Sequence, residues 1–302
     1  MTEYSKADIG VRIGPVEFKN PVFLASGICG YGEEYSPLMD IRALGGIVTK
    51  TITPRPRKGN PPPRIHEIPT GALNSIGLEN VGLDAYVADK LPKLAKEKID
   101  VIVSVAAEHV EEFETIARTF APLEGYKGVE LNLSCPNVEE KALDHGRDPA
   151  FVEKLTRVVK SYLADKAVLV KITPNVTDIG SVARAAEAGG ADGISAINTV
   201  LGVDFDLATG KPVFFRGSGG YSGPGILPIA LQKVWEVSKA VSIPIMGIGG
   251  ISSVEDARKF FVAGASAVQI GTALWQDLEL PQRIVSEFER HPEWIKKGEI
   301  KS

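Results

Sequence analysis

Cysteine is scarce in this chain: Cys29 and Cys135 are the only two among 302 residues. Two thiols cannot build a disulfide framework, and without a C-x-x-C spacing they do not ligate zinc or a cluster. A reducing, cytoplasmic setting is therefore expected. Long apolar runs are lacking as well. None approaches the roughly 18 residues that a membrane span needs, and Met1 to Asp8 carries no apolar leader core, so no membrane partner is expected. Neither sign of charge dominates, since 34 Lys+Arg stand against 38 Asp+Glu for a net −4. That balance leaves no electrostatic footprint for a nucleic acid. The histidines, His66, His109, His145 and His291, have no metal-ligand spacing, so no metal is expected, and no Ser-His-Asp arrangement suits a hydrolase. A Walker A loop is absent because Gly210-Lys211 is followed by Pro212.

What is present is alternation. Eight short apolar runs, Pro21 to Ser26, Gly46 to Lys50, Asp100 to Val105, Gly128 to Asn132, Ala167 to Ile172, Gly193 to Ile197, Ile243 to Ile248 and Ala267 to Ile270, are each followed by a stretch that could form a helix. Such βα units imply a parallel sheet, and eight is the number that closes a TIM (β/α)8 barrel. Residues 1–302 then form a single barrel domain, with a doubly wound open sheet as the other α/β solution. Helix starts are marked by Asp148-Pro149, by Asp178 and by Ser252-Ser253. Three connections are long, Thr51 to Gly82, Cys135 to Asp148 and Asn198 to Gly225, and all follow strand C-termini. In a barrel that is the rim where sites are built.

Each predicted strand ends on a polar residue or glycine: Ser26, Lys50, Ser104, Asn132 with Cys135 just beyond, Lys171, Asn198 with Thr199, Gly249-Gly250, and Gly271-Thr272. The two glycine turns after strands seven and eight let backbone amides approach a ligand closely, which favours a phosphate at this rim. Lysine seldom belongs in a strand, so Lys50 and Lys171 point to a bound anion or an electron-rich ring. Cys135 could accept a proton near neutral pH if hydrogen bonds stabilise its thiolate; the plainer reading is a small buried hydrophobe, which suits Cys29.

Several strings together resemble the class 1 dihydroorotate dehydrogenases, flavin-containing TIM barrels of pyrimidine biosynthesis. They include Ala25-Ser26-Gly27, Lys50-Thr51, Asn74-Ser75-Ile76-Gly77-Leu78-Glu79-Asn80, Asn132-Leu133-Ser134-Cys135-Pro136-Asn137, Thr209-Gly210-Lys211-Pro212, and Ser222-Gly223-Pro224. The sequence is most similar to the class 1B catalytic subunit. The resemblance implies FMN as cofactor, contacted by Ser26, Lys50, Thr51, Ser104, Asn132, Lys171, Ile197, Gly223, Gly249, Gly250, Gly271 and Thr272. It implies dihydroorotate held by Lys50, Asn74, Ser75, Ile76, Gly77, Leu78, Asn132, Asn198 and Thr199, with Cys135 taking the C5 proton while hydride leaves C6. It further implies a homodimer and a second subunit carrying FAD and a 2Fe-2S cluster, through which electrons reach NAD; two cysteines here cannot ligate such a cluster. Two stretches differ from the 1B pattern. Val138 to Arg147 is not glycine-rich, and Ser104 stands where Asn is common. The alternatives are a dihydropyrimidine dehydrogenase-like flavin reductase and, without flavin, a phosphosugar isomerase or lyase barrel.

Overall fold

The computed structural model describes residues 7–133 and 146–295. All eight expected strands are present: β3 (Val22–Leu24), β4 (Gly46–Val48), β7 (Val101–Val105), β8 (Gly128–Asn132), β9 (Ala167–Ile172), β10 (Gly193–Ala196), β15 (Ile245–Ile248) and β16 (Ala267–Ile270). Parallel neighbours follow chain order, and β16 pairs with β3 through Val268↔Val22 and Ile270↔Leu24, so the sheet closes into a barrel. The chain is a TIM barrel and not an open doubly wound sheet. Lys50 falls two residues beyond β4 rather than within it.

Period-two alternation sorts these strands into an outer and an inner face. Outward residues such as Val22, Leu24, Val101, Val103, Val129, Leu131, Val168 and Val170 join the large apolar cluster with helix residues Phe113, Leu155, Val182, Val234, Phe260 and Phe288. The start signals act as the sequence suggests. Asp148 accepts the Ala150 amide at 3.0 Å, Asp178 the Ser181 amide at 3.0 Å, and Ser253 the Asp256 amide at 3.1 Å, each satisfying a first-turn donor that has no intrahelical partner. The helices they open are Pro149–Tyr162, Ile179–Ala188 and Val254–Val262.

Inside the barrel a second apolar cluster fills the N-terminal end: Phe23, Val48, Ile102, Leu169, Met246 and Ala267, with Ile13 and Phe18 packed against them. Ile13 and Phe18 come from a hairpin that the strand count does not anticipate, β1 (Val11–Ile13) with β2 (Val16–Phe18). It plugs the bottom, and the edge-to-face contact of Phe18 with Phe23, centroids 5.0 Å apart, fixes it there.

Two of the long connections also differ from the loops expected. After β4 the chain forms β5 (Ile65–Ile68) and β6 (Gly71–Asn74); after β10 it forms β11 (Val200–Gly202), the short pair β12 (Phe205–Asp206) and β13 (Lys211–Pro212), and β14 (Gly219–Ser222). β5, β6, β11 and β14 combine as an antiparallel sheet in the order β11-β14-β6-β5, and β12 and β13 pair with each other alone. A strand beginning Gly219-Gly220 has little intrinsic β preference. It exists because β6 and β11 pair with it on either side, through Gly220↔Asn74 and Gly220↔Leu201.

Candidate active site

The cleft at the C-terminal mouth is lined from seven of the eight strand ends: Ser26, Lys50 and Thr51 from the first two, Asn132 and Lys171 from β8 and β9, Ile197, Asn198 and Thr199 after β10, and Gly249, Gly250, Gly271 and Thr272 after β15 and β16. Gly223 reaches it from the connection after β10, and Asn74, Ile76 and Leu78 from the one after β4. Of the residues proposed from sequence, Cys135 lies outside the described residues. Three others stand behind the wall rather than in it. Ser104 is fully buried and bonds Thr51. Ser75 is buried, its hydroxyl accepting from Asn60 Nδ2 at 3.0 Å. Gly77, at φ 75°, lies where an added Cβ would sit 2.5 Å from Asn60 Oδ1.

A hydroxyl relay crosses the floor of the mouth. Ser26 Oγ donates to the Thr49 carbonyl at 2.7 Å and lies 3.3 Å from Thr51 Oγ1. Thr51 Oγ1 is 2.8 Å from Ser104 Oγ and accepts from Asn132 Nδ2 at 3.1 Å. One hydroxyl has a single proton and two lone pairs. With Asn132 on one lone pair and the proton of Ser26 already spent, Ser104 donates into the second and Thr51 donates to Ser26. Asn198 Nδ2 then donates to Asn132 Oδ1 at 3.3 Å. The network fixes the amide orientations of both asparagines and leaves Ser104 as the anchor of Thr51.

The opposite wall is backbone. At Gly250 (φ 76°) a Cβ would lie 2.7 Å from the Leu227 amide nitrogen, and at Gly249 (φ 128°) one would lie 2.7 Å from the Ala230 Cβ. Only glycine fits this turn against the helix Leu227–Ala240. Thr272 Oγ1 donates to Ser222 Oγ at 2.8 Å, tying the turn after β16 to β14.

The roof is a locked pair of connections. Asn74 Nδ2 donates to the Gly220 carbonyl at 3.1 Å, Arg216 Nε to Asn60 Oδ1 at 3.2 Å, and His66 Nε2 lies 2.8 Å from Asp204 Oδ2. The His66 hydrogen bond, with the Phe205 amide second, holds the Asp204 carboxyl below its ordinary range. Leu78 lines the cleft at φ 56°, a conformation that bulky L residues avoid and that marks stored strain at a binding surface.

Sequence reasoning missed a buried polar layer below the mouth. Glu130, Ser195 and Gln269 are inward on β8, β10 and β16 and are almost completely buried. Glu130 Oε1 lies 3.4 Å from Lys171 Nζ, and Gln269 Nε2 donates to Glu130 Oε2 at 3.0 Å. Their signal was present in the alternation of Gly128-Val129-Glu130-Leu131-Asn132, which puts a carboxylate and an amide on the face opposite two aliphatics. Cys29, by contrast, is inert. Burial, with the Glu34 charge second, pushes its thiol up to about 12.

Among the described residues no helix is long and apolar enough to cross a membrane, and no group of His, Cys, Asp or Glu could hold a metal ion. The family model for dihydroorotate dehydrogenase matches residues 9–291. The chain is 47% identical over 277 residues to "Dihydroorotate dehydrogenase B (NAD(+)), catalytic subunit" of Solidesulfovibrio magneticus, covering 92% of this chain and 90% of that protein. It is 44% identical over 286 residues to the protein of the same name from Desulforamulus reducens, covering 95% and 94%. The crystal structure of DHODH in complex with ferulenol from Eimeria tenella superposes with a TM-score of 0.79 at 22% identity, covering 98% of this chain and 89% of that one, a likeness of fold. By the match along nearly its whole length and by the identity to these relatives, the chain belongs to the dihydroorotate dehydrogenase family.

Proposed function

We propose that the barrel mouth binds FMN and dihydroorotate together and that the chain oxidises dihydroorotate to orotate in pyrimidine biosynthesis. The observation that carries this reading is the one cleft that joins a side-chain-free glycine wall to a polar floor. Its residues fit a flavin nucleotide. Gly249, Gly250, Gly271 and Thr272 offer backbone amides to a phosphate, as the glycine-bearing turns of such barrels do. Ile197 and Ile248 give an apolar face for a ring, and Lys50, Lys171 and Asn132 give donors for its polar edge. Gln269 Oε1 is buried without a hydrogen-bond partner, an acceptor suited to a ring N–H.

Bound FMN supplies the acceptor for the hydride. The chain's own residues do the rest. Asn74, Asn132, Asn198 and Thr199 present amides and a hydroxyl suited to a ring of imides, and Lys50 offers the counter-charge for a carboxylate. Ile76 and Leu78 close the apolar side, while Ser75 and Gly77 hold that strip in place through Asn60. Ser26, Thr51 and Ser104 set the donor pattern beneath the ring. Cys135 is assigned the proton from C5, a role taken from the sequence alone.

The relatives' names, a catalytic subunit and NAD(+), support a partner subunit that receives the electrons; FAD and a 2Fe-2S cluster on that partner follow from the sequence resemblance. A homodimer of this chain and a cytoplasmic location complete the proposal. The test is the visible spectrum of the purified protein and the identity of the flavin it releases, followed by addition of dihydroorotate without oxygen. FMN that bleaches on mixing supports the reading. A colourless protein that binds phosphosugars favours the isomerase or lyase barrel, and bleaching by dihydrouracil but not dihydroorotate favours the pyrimidine-base reductase.

A further inference from the structure

We infer that Glu130 is a positioning residue that offsets the charge of Lys171 and so lowers the reduction potential of the bound flavin. The inference rests on the flavin site proposed above. Glu130 is 0% exposed, inward on β8, and does not line the cleft; Lys171 and Gln269 do. It therefore acts through its two neighbours. A buried carboxylate is costly unless paired, and among the described residues Lys171 is its one cationic partner within 4 Å. The contact, 3.4 Å from Nζ to Oε1, is not a hydrogen bond, and Oε1 has no other partner. Gln269 Nε2 holds Oε2 at 3.0 Å, with Ser195 Oγ at 3.4 Å on the same amide. The carboxylate is thus fixed from the Gln269 side while its free oxygen faces the ammonium as a charge rather than as an acceptor. Lys171 keeps its N–H donors for the cleft.

The consequence has a definite sign. Reduction puts negative charge on a flavin, so a cation at the ring favours the reduced form and a buried anion behind it opposes this. A lone Lys171 would make the flavin a stronger oxidant. With Glu130 beneath it the pair is neutral, and the gain is limited. Because the interior screens poorly, the carboxylate is felt even though it touches no ligand.

The test is the midpoint potential of the flavin in the holoprotein, measured by anaerobic equilibration with a reference dye, in wild type and in Glu130→Gln. The variant keeps the shape and the Gln269 contact but removes the charge. Reduced flavin should bind about tenfold more tightly relative to oxidised flavin, a rise of ~30 mV for a two-electron couple. A purely structural role would change melting temperature and flavin content and leave the potential where it was. Since Glu130→Gln leaves Lys171 unpaired and Lys171→Met leaves Glu130 unpaired, the same change is also made in a Lys171→Met background, so that the double variant strands no buried charge; Lys171→Met itself should lower the potential, and the added Glu130→Gln should raise it again. A flavin-loaded variant with the potential of its parent in both backgrounds overturns the inference and leaves the proposed function standing. A wild-type protein that takes up no flavin overturns both.

Discussion

The two ends of the barrel interior are built from the same inward positions of the same strands, yet they are opposites. At the N-terminal end Phe23, Val48, Ile102, Leu169 and Met246 pack against the plug residues Ile13 and Phe18 in one apolar cluster. Two residues further along β7, β9 and β16 the inward positions are Ser104, Lys171 and Gln269, and β8 and β10 add Glu130, Asn132 and Ser195. The lower layer can be dry because it has nothing to recognise, and each fully buried side chain there contributes about 1.5–3 kcal/mol. The upper layer gives up that contribution and accepts a desolvation cost to place donors, acceptors and charge under the mouth. Stability and chemistry are thus separated along one axis, a division that eight parallel strands impose by bringing all their C-termini to one rim.

Substitutions can break or sharpen that contrast. The largest effect is expected for Cys135→Ser, which should keep FMN and slow flavin reduction by dihydroorotate about 10²–10⁴-fold near neutral pH, because a serine hydroxyl is a far weaker proton acceptor. Unchanged single-turnover reduction would remove Cys135 from the chemistry. Phe23→Ala, at the other end, should cost about 3–5 kcal/mol in denaturant unfolding with the flavin of the remaining folded protein reduced at the wild-type rate; a loss of rate without a loss of stability would show that the ends are not separable. Gly250→Ala places a Cβ 2.7 Å from the Leu227 backbone at φ 76°, so FMN affinity measured by titration of the apoprotein should fall by at least tenfold, about 1.4 kcal/mol. Ser104→Ala should cost only about 1 kcal/mol of FMN binding through the loosened Thr51 hydroxyl. In the Cys135→Ser protein a thiol reagent should find nothing to label until denaturant is added, since the remaining Cys29 is fully buried with its thiol pushed up to about 12.

The barrel was legible because its strands carry continuous apolar runs, the mark of a parallel sheet covered by helices, and because Asp148, Asp178 and Ser253 announce helices by capping them. Ser26, Lys50, Asn132, Lys171 and the two glycine turns were legible for the same reason, each sitting at or just past the end of a countable strand, whereas Asn74, Ile76, Leu78 and Gly223 came only with the resemblance. What escaped depends on contacts distant in sequence. Gly219 to Ser222 becomes a strand only between β6 and β11, and the hairpin of Ile13 and Phe18 acquires a purpose only once the barrel bottom exists to receive it. Ser75 and Gly77 belong to a string that marks the site, yet Asn60, fifteen residues before Ser75, decides that they face away from it. Glu130 and Gln269 look like ordinary strand residues until the ring closes and sets them beside Lys171.

The most direct measurement is rapid anaerobic mixing of the purified protein with dihydroorotate while the visible absorbance of the bound flavin is followed. The expected result is a single-turnover bleaching that saturates with substrate, is slowed by Cys135→Ser, and is reversed by NAD only when the partner subunit is added. A flavin that keeps its colour at saturating dihydroorotate would contradict the assignment of this mouth to dihydroorotate oxidation.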